Sequence, residues 1–114
     1  MTDLAPARST AGAERLAALM ARGTDLLACD YAVLGGAMSW VSERNLVAAM
    51  SNAGMFGVIA CGAMTPHLLA AETAATQALT SKPFGVNLTT MHPALSALID
   101  VCAKHEVSHV VLAG

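Results

Sequence analysis

Four short apolar segments recur along the chain at nearly even intervals, and this recurrence constrains the fold more than any other feature. They begin near positions 31, 57, 84 and 109, at separations of 26, 27 and 25 residues. Each is a few residues long and dominated by Val, Ile, Leu, Phe or Tyr, which reads as a strand. Between them lie single stretches whose apolar residues follow helical spacing. Short strands that are apolar throughout, each followed by one helix, belong to parallel βα units whose sheet is covered. The connections are expected to be right-handed crossovers. An open doubly wound sheet and a (β/α)8 barrel share this alternation. The even period, free of long insertions, favours the barrel.

Residues Met1 to Thr10 read as a flexible tail. Ala11 to Arg22 reads as a short amphipathic helix with Leu16, Leu19 and Met20 on one face, ending at Gly23. Tyr31 to Leu34 is the first strand, broken by Gly35-Gly36. Ser39 and Ser42 are cap residues for the next helix, and Glu43 adds negative charge to its first turn. The face expected to be buried is Leu46, Met50 and Ala53, and Gly54 ends the helix. Phe56 to Ala60 is the second strand. Thr65 caps a second crossover helix with Pro66 in its first turn. Its expected face is Leu68, Ala71, Ala75 and Leu79, and Lys82-Pro83 stops it. Phe84 to Leu88 is the third strand. Pro93 opens a helix with Leu95, Leu98, Ile99 and Cys102 inward, and His109 to Ala113 is the fourth strand.

The chain has 114 residues, which allows one domain at most. It is 55% hydrophobic and 12% charged, with a mean hydropathy of +0.57. A small domain that covers itself in polar surface is less apolar than this. Gly, Ser, Thr or a charge interrupts every apolar run well short of the roughly 20 residues of a membrane span. No membrane role is expected. A net charge of −2 without a basic cluster argues against nucleic acid. Cys29, Cys61 and Cys102 are odd in number, widely spaced and free of any CxxC. They suit neither a disulfide framework nor a zinc site, so a reduced, cytoplasmic setting is expected. Cys61 and Cys102 read as small core side chains.

A closed barrel of this type needs about 250 residues. Residues 11–114 are therefore expected to form the N-terminal half of one, incomplete by itself. Its open sheet edges would favour association or aggregation.

Chemistry is expected at the strand ends. The Gly35-Gly36-Ala37-Met38 loop lies between a strand and a helix N-terminus, where backbone N–H groups are available to a ligand. An ordinary βα turn accounts for the same residues. Met38 offers either a polarizable wall or simple core filling. Asn87, near the end of the third strand beside Thr89 and Thr90, carries both a donor and an acceptor. A turn residue bonding its own backbone is the other reading. Trp40 reads as a packing residue at the helix start. His67 and His92 adjoin helix starts and have no carboxylate neighbour in sequence, His105 lies at a helix end and His109 opens a strand; none takes a catalytic role.

Three segments in register carry a resemblance. Gly35-Gly-Ala-Met-Ser-Trp-Val-Ser42, Ala48-Ala-Met-Ser-Asn-Ala-Gly54 and Lys82-Pro-Phe-Gly-Val-Asn-Leu88 resemble the nitronate monooxygenase family, formerly the 2-nitropropane dioxygenases. That family is similar to the FMN-dependent enoyl-acyl-carrier-protein reductases. The resemblance implies a TIM barrel with FMN at the C-terminal ends of its strands. It also implies oxidation of alkyl nitronates by O2 to a carbonyl compound and nitrite. By the same resemblance, Gly36, Ala37 and Met38 lie against the flavin and Asn87 hydrogen-bonds it. The family's Gly-Gly-His base and glycine-rich phosphate loops have no match in these residues, so no catalytic residue is assigned. Some members carry Gln-Ala-Pro-Met where this chain has Gly35-Gly-Ala-Met, a form nearer the reductase branch. Enoyl-thioester reduction is the alternative on the same scaffold. A non-catalytic α/β binding module with a doubly wound sheet is the alternative of another class, although no GxGxxG follows the first strand. Oligomeric state is left open, and a homo-oligomer fits the sequence.

Overall fold

The computed structural model describes residues 10–114. The expected tail lies outside the described residues, except for Thr10, which begins a helix. The elements run α1 (Thr10–Leu27), β1 (Leu34–Gly35), α2 (Arg44–Asn52), β2 (Phe56–Ala60), α3 (Pro66–Leu79), β3 (Phe84–Thr89), α4 (Leu95–Lys104) and β4 (His109–Ala113). All four strands are parallel, in the order β1-β2-β3-β4. Each crossover thus places the next strand beside the last, always moving the same way. A doubly wound sheet would reverse direction at a switch point. This sheet does not, and its strand order is that of a barrel wall.

Register sorts the side chains into two faces, because neighbouring partners in a sheet share a side and successive residues alternate. Ile59 and Val86 are partners, and both lie in the core with Val47, Leu69, Leu88, Leu98 and Cys102. This is the helix-covered face. A Cβ on Gly57 would meet the Val47 carbonyl at 2.5 Å, so α2 packs close against β2. The other face carries Phe56, Val58 and Ala60 of β2, Gly85, Asn87 and Thr89 of β3, and His109, Val111 and Ala113 of β4. It corresponds to the interior of a barrel. On it, Phe56 and His109 meet edge to face at 5.2 Å, above the Gly85 backbone.

Several expectations are met residue for residue. β2 and β4 have the expected bounds, and Thr65 caps α3 by accepting the Leu68 N–H with Pro66 following. Gly54 follows α2 with φ of +91°. Its carbonyl accepts both the Asp30 and Tyr31 N–H groups, which brings the chain back beside β2.

Other expectations are corrected. α1 does not stop at Gly23 but runs to Leu27. A glycine inside a helix costs only about 1 kcal/mol, and its bare Cα lets α1 touch Ala32. The helix instead stops at Ala28, which takes φ of +52°. Leu16 and Leu19 remain exposed, and no α1 residue is buried. The first strand is two residues, not four. Val33 N–H turns back onto the Tyr31 carbonyl, so the chain is bent just where an extended run was expected. The faces of α2 and α3 are rotated. The buried residues are Val47, Ala48 and Ser51 on α2, and Leu69, Glu72, Thr73 and Thr76 on α3. On α4 Leu98 and Cys102 are inside as expected, but Ile99 is exposed. That helix begins at Leu95, after an Ala94 that offers no side-chain cap.

Candidate active site at the C-terminal ends of the strands

The β1–α2 loop is the most constructed part of the strand ends. Ser42 was expected to cap α2, but Glu43 does so, its carboxylate accepting the Asn45 and Leu46 N–H groups at 3.0 and 3.3 Å. Two adjacent cap-type side chains cannot both take that position. Ser42 is therefore free, and it turns back into the loop. Its Oγ accepts the Met38 N–H at 2.9 Å and donates to the Gly36 carbonyl at 3.3 Å. Its N–H donates to the Met38 carbonyl at 2.8 Å, and its own carbonyl accepts the Ala60 N–H at 3.0 Å. The loop is thus closed on itself and fastened to the end of β2.

The loop leaves specific groups on offer. A Cβ at Gly36 would meet nothing within 4 Å, so the main chain there faces open space. The N–H groups of Gly36 and Ala37 engage no partner among the described residues, whereas that of Met38 is held by Ser42. Met38 is half exposed, so core filling does not describe it. Trp40 is not a packing residue either: it is 70% exposed and takes φ of +63°. A bulky residue in that region is uncommon and costs energy.

Asn87 sits inside β3 on the interior face, level with Ala60 and Val111. It is half-buried, and its amide forms no hydrogen bond with the described residues. Its strand position removes the reading as a turn residue bonding its own backbone. The neighbours at its level are small, which leaves room over the amide. Thr89 and Thr90 lie beyond it, near the bare Cα atoms of Gly62 and Gly114 respectively. The interior face therefore becomes more polar toward the strand ends where Gly36 also lies.

Two of the four histidines, His92 and His109, have structural partners for their rings. His92 Nδ1 accepts the Ala94 N–H at 3.0 Å, so its Nε2–H donates to the Met64 carbonyl at 3.0 Å. This ties the loop after β3 to the loop after β2. His109 Nε2–H donates to the Leu26 carbonyl and fixes the end of α1 under the opposite end of the sheet. Among the described residues no group of three His, Cys, Asp or Glu side chains is placed to hold a metal ion. Sequence reasoning missed the Ser42 and His92 ties. The Ser-Glu pair at 42–43 was the available signal for the first.

One ion pair joins the start of α2 to α3. Arg44, the first residue of α2, meets Glu72 of α3 at 2.5 Å. Glu72 also accepts the Arg44 backbone N–H at 3.2 Å. These side-chain hydrogen bonds hold the Glu72 carboxyl below its ordinary range, against the opposing effect of burial. They hold the Arg44 guanidinium above its own.

The sequence model of the nitronate monooxygenase family matches residues 20–112, which is most of the chain. The chain belongs to the nitronate monooxygenase family. Over 65 residues it is 42% identical to an octahydroindene-carboxyl-CoA dehydrogenase of Mycobacterium tuberculosis. Over 65 residues it is also 40% identical to a probable nitronate monooxygenase of Staphylococcus haemolyticus. Each match covers 57% of this chain and 18% of the relative, so the chain spans under a fifth of the curated relatives it matches. Among solved structures, FabK from Thermotoga maritima superposes with a TM-score of 0.79 at 39% identity. That likeness covers 82% of this chain and 30% of FabK. A nitroalkane oxidase from Streptomyces ansochromogenes superposes with a TM-score of 0.70 at 24% identity, covering 78% of this chain and 35% of that one, and shares the fold. The strand order and these likenesses agree: the four strands and the three helices between them are the N-terminal part of a TIM barrel, preceded by α1. The nitronate monooxygenase family is one of oxidoreductases. No described helix is long and apolar enough to cross a membrane.

Proposed function

We propose that this chain supplies one wall of an FMN site in an enzyme that oxidises alkyl nitronates with O2 to a carbonyl compound and nitrite. The observation that carries the reading is the strand-end geometry. An open glycine loop with two N–H groups that engage none of the described residues lies on the same end of the sheet as a half-buried Asn87 amide that likewise bonds none of them. An isoalloxazine ring needs flat contact along its body and hydrogen bonds at its polar edge. Gly36 and Ala37 fit the second need through the main chain, Met38 fits the first, and Asn87 adds a donor and an acceptor. Bound FMN would supply the electron transfer between nitronate and oxygen; the chain's own part is to bind and orient. The four histidines and the cysteines take no catalytic role, so the proton acceptor is proposed to lie outside these residues. Residues 11–114 alone are proposed to be inactive, in a cytoplasmic protein whose oligomeric state is open.

Enoyl-thioester reduction with a nicotinamide donor is the second reading, favoured by the Gly35-Gly36 form of the loop and the 39% identity to FabK. The test uses the complete polypeptide that carries this chain. It should purify yellow, release flavin as FMN and form nitrite from a propionate or nitroalkane nitronate. Nicotinamide consumption with an enoyl thioester, without nitrite, would select the second reading. A colourless protein that takes up no FMN would leave a binding module.

A further inference from the structure

We propose that Ser42 is a positioning residue for the cofactor loop: its buried hydroxyl fixes which backbone groups that loop presents. This rests on the FMN reading above. Ser42 is 4% exposed and is not the cap of α2, because Glu43 fills that place. A hydroxyl has one proton to give and lone pairs to accept with. The proton goes to the Gly36 carbonyl and a lone pair takes the Met38 N–H. The two ends of the Gly36–Met38 segment are thus joined through one oxygen atom. Met38 N–H is thereby withdrawn from any ligand, while Gly36 and Ala37 N–H have no partner among the described residues.

The main-chain bonds of Ser42 to Met38 and Ala60 place that oxygen relative to β2. The loop thus holds its shape before a ligand arrives. The left-handed Trp40 backbone shows that this shape is not one the loop adopts at no cost. Removing the hydroxyl leaves the Gly36 carbonyl and the Met38 N–H to water, and the segment gains conformations that do not match a planar ring. Binding then has to order the loop again, which lowers affinity.

The test compares Ser42→Ala, Ser42→Thr and Ser42→Cys in the complete polypeptide, with two measurements. Hydrogen exchange of segment 36–42 reads the loop without FMN, with the β2 and β3 amides as an internal control of folding. FMN titration reads the consequence. Ser42→Ala is expected to speed exchange in the loop, leave the strand amides protected and weaken FMN about tenfold. It is also expected to change the visible absorption of bound flavin. Ser42→Thr keeps the hydroxyl and is expected to recover both affinity and spectrum. If the Ala variant loses strand protection as well, Ser42→Cys, similar in size but a feeble donor, takes its place with the same expectation. Parental FMN affinity in a folded Ala or Cys variant overturns the proposal while the cofactor reading stands. A parent protein that binds no FMN at all overturns both, and is told apart by that result alone.

Discussion

Glu72 on α3 receives both the backbone N–H and the guanidinium of Arg44, the residue that opens α2. One carboxylate therefore holds two helices together, at the start of the helix that follows the loop carrying Gly36 to Met38. It satisfies an N–H that the start of a helix cannot satisfy itself. It also explains how an acidic residue is kept inside α3.

This arrangement sets a pH dependence. The Glu72 carboxyl titrates lower in the folded chain than in the unfolded one, chiefly because Arg44 hydrogen-bonds its charged form. The unfolded state then binds more protons across the interval between the two values. Stability from this pair is complete above the unfolded carboxylate value of about 4.3 and is lost as pH falls through the lower folded value. Glu72→Gln should lower the melting temperature by a few degrees at neutral pH. That difference should shrink as the buffer is taken below the unfolded value. Parallel melting curves for parent and variant down to the acid limit would contradict the assignment.

The missed parts of the structure share this origin. β2 and β4 were legible because each is a short run built around β-branched and large apolar residues, with Gly54 and Gly62 near the ends of the first and Gly114 after the second. Gly54 and Thr65 were legible because each has a local mechanical task. The helix faces were not, because counting apolar residues in alanine-rich helices selects Ala71 and Leu79 while the residues buried on α3 include Glu72, Thr73 and Thr76. Glu72 is inside because Arg44 pairs with it, and Thr76 because it donates to the Glu72 carbonyl, whereas the Thr73 hydroxyl is buried without a hydrogen-bond partner among the described residues. Ser51 is inside because it accepts the Gly57 N–H, where helix and strand lie too close for a larger side chain. At the candidate site the positions of Gly36, Ala37, Met38 and Asn87 followed from their distance to the strand ends. The Ser42 tie did not, since a serine before a helix is most simply its cap.

Two glycines should respond oppositely to the same change. Gly54 combines φ of +91° with a position where a Cβ would meet the Asp30 carboxylate at 2.8 Å. Gly54→Ala is expected to cost about 2 kcal/mol or more. Gly36 lies outside the left-handed region and a Cβ there would meet open space. Gly36→Ala should leave stability within about 0.5 kcal/mol while lowering FMN affinity, because the added methyl stands where the ring would approach. Denaturant titration and flavin titration of the two variants separate these effects. A Gly36→Ala protein with undiminished FMN binding would remove Gly36 from the cradle.

The three thiols should differ in reactivity. Cys61 is fully buried, and burial, with Cys102 nearby, pushes its thiol up to about 11. Burial raises Cys102 as well. Cys29 is half-exposed. A disulfide reagent at neutral pH should titrate one thiol quickly in the native protein and all three after denaturation. Because Cys61 holds its proton more tightly when folded, its contribution is complete below the unfolded thiol value of about 8.5 and is lost as pH rises toward about 11. The fall in stability between about pH 8.5 and 11 should therefore be shallower in Cys61→Ala than in the parent, once the cost of the cavity at neutral pH is subtracted. Fast modification of two or three native thiols would show that the α4–sheet core opens readily.

Asn87 offers the most direct separation of fold from function. Its amide has no partner among the described residues, and Ala60 and Val111 beside it are small. Truncating it breaks no hydrogen bond in the structure, so Asn87→Ala should change stability by no more than about 1 kcal/mol. An amide that bonds the flavin edge is a different matter, and its loss should weaken FMN by about tenfold. Asn87→Asp keeps the shape but replaces two donors with negative charge, and should affect the reduction potential of bound flavin more than Asn87→Ala does. The measurements are a melting curve, an FMN titration and a potentiometric titration of the complete polypeptide. If both variants melt like the parent and bind FMN with parental affinity, Asn87 is merely a polar residue on a barrel interior and the cofactor contact must be sought on the neighbouring strand ends.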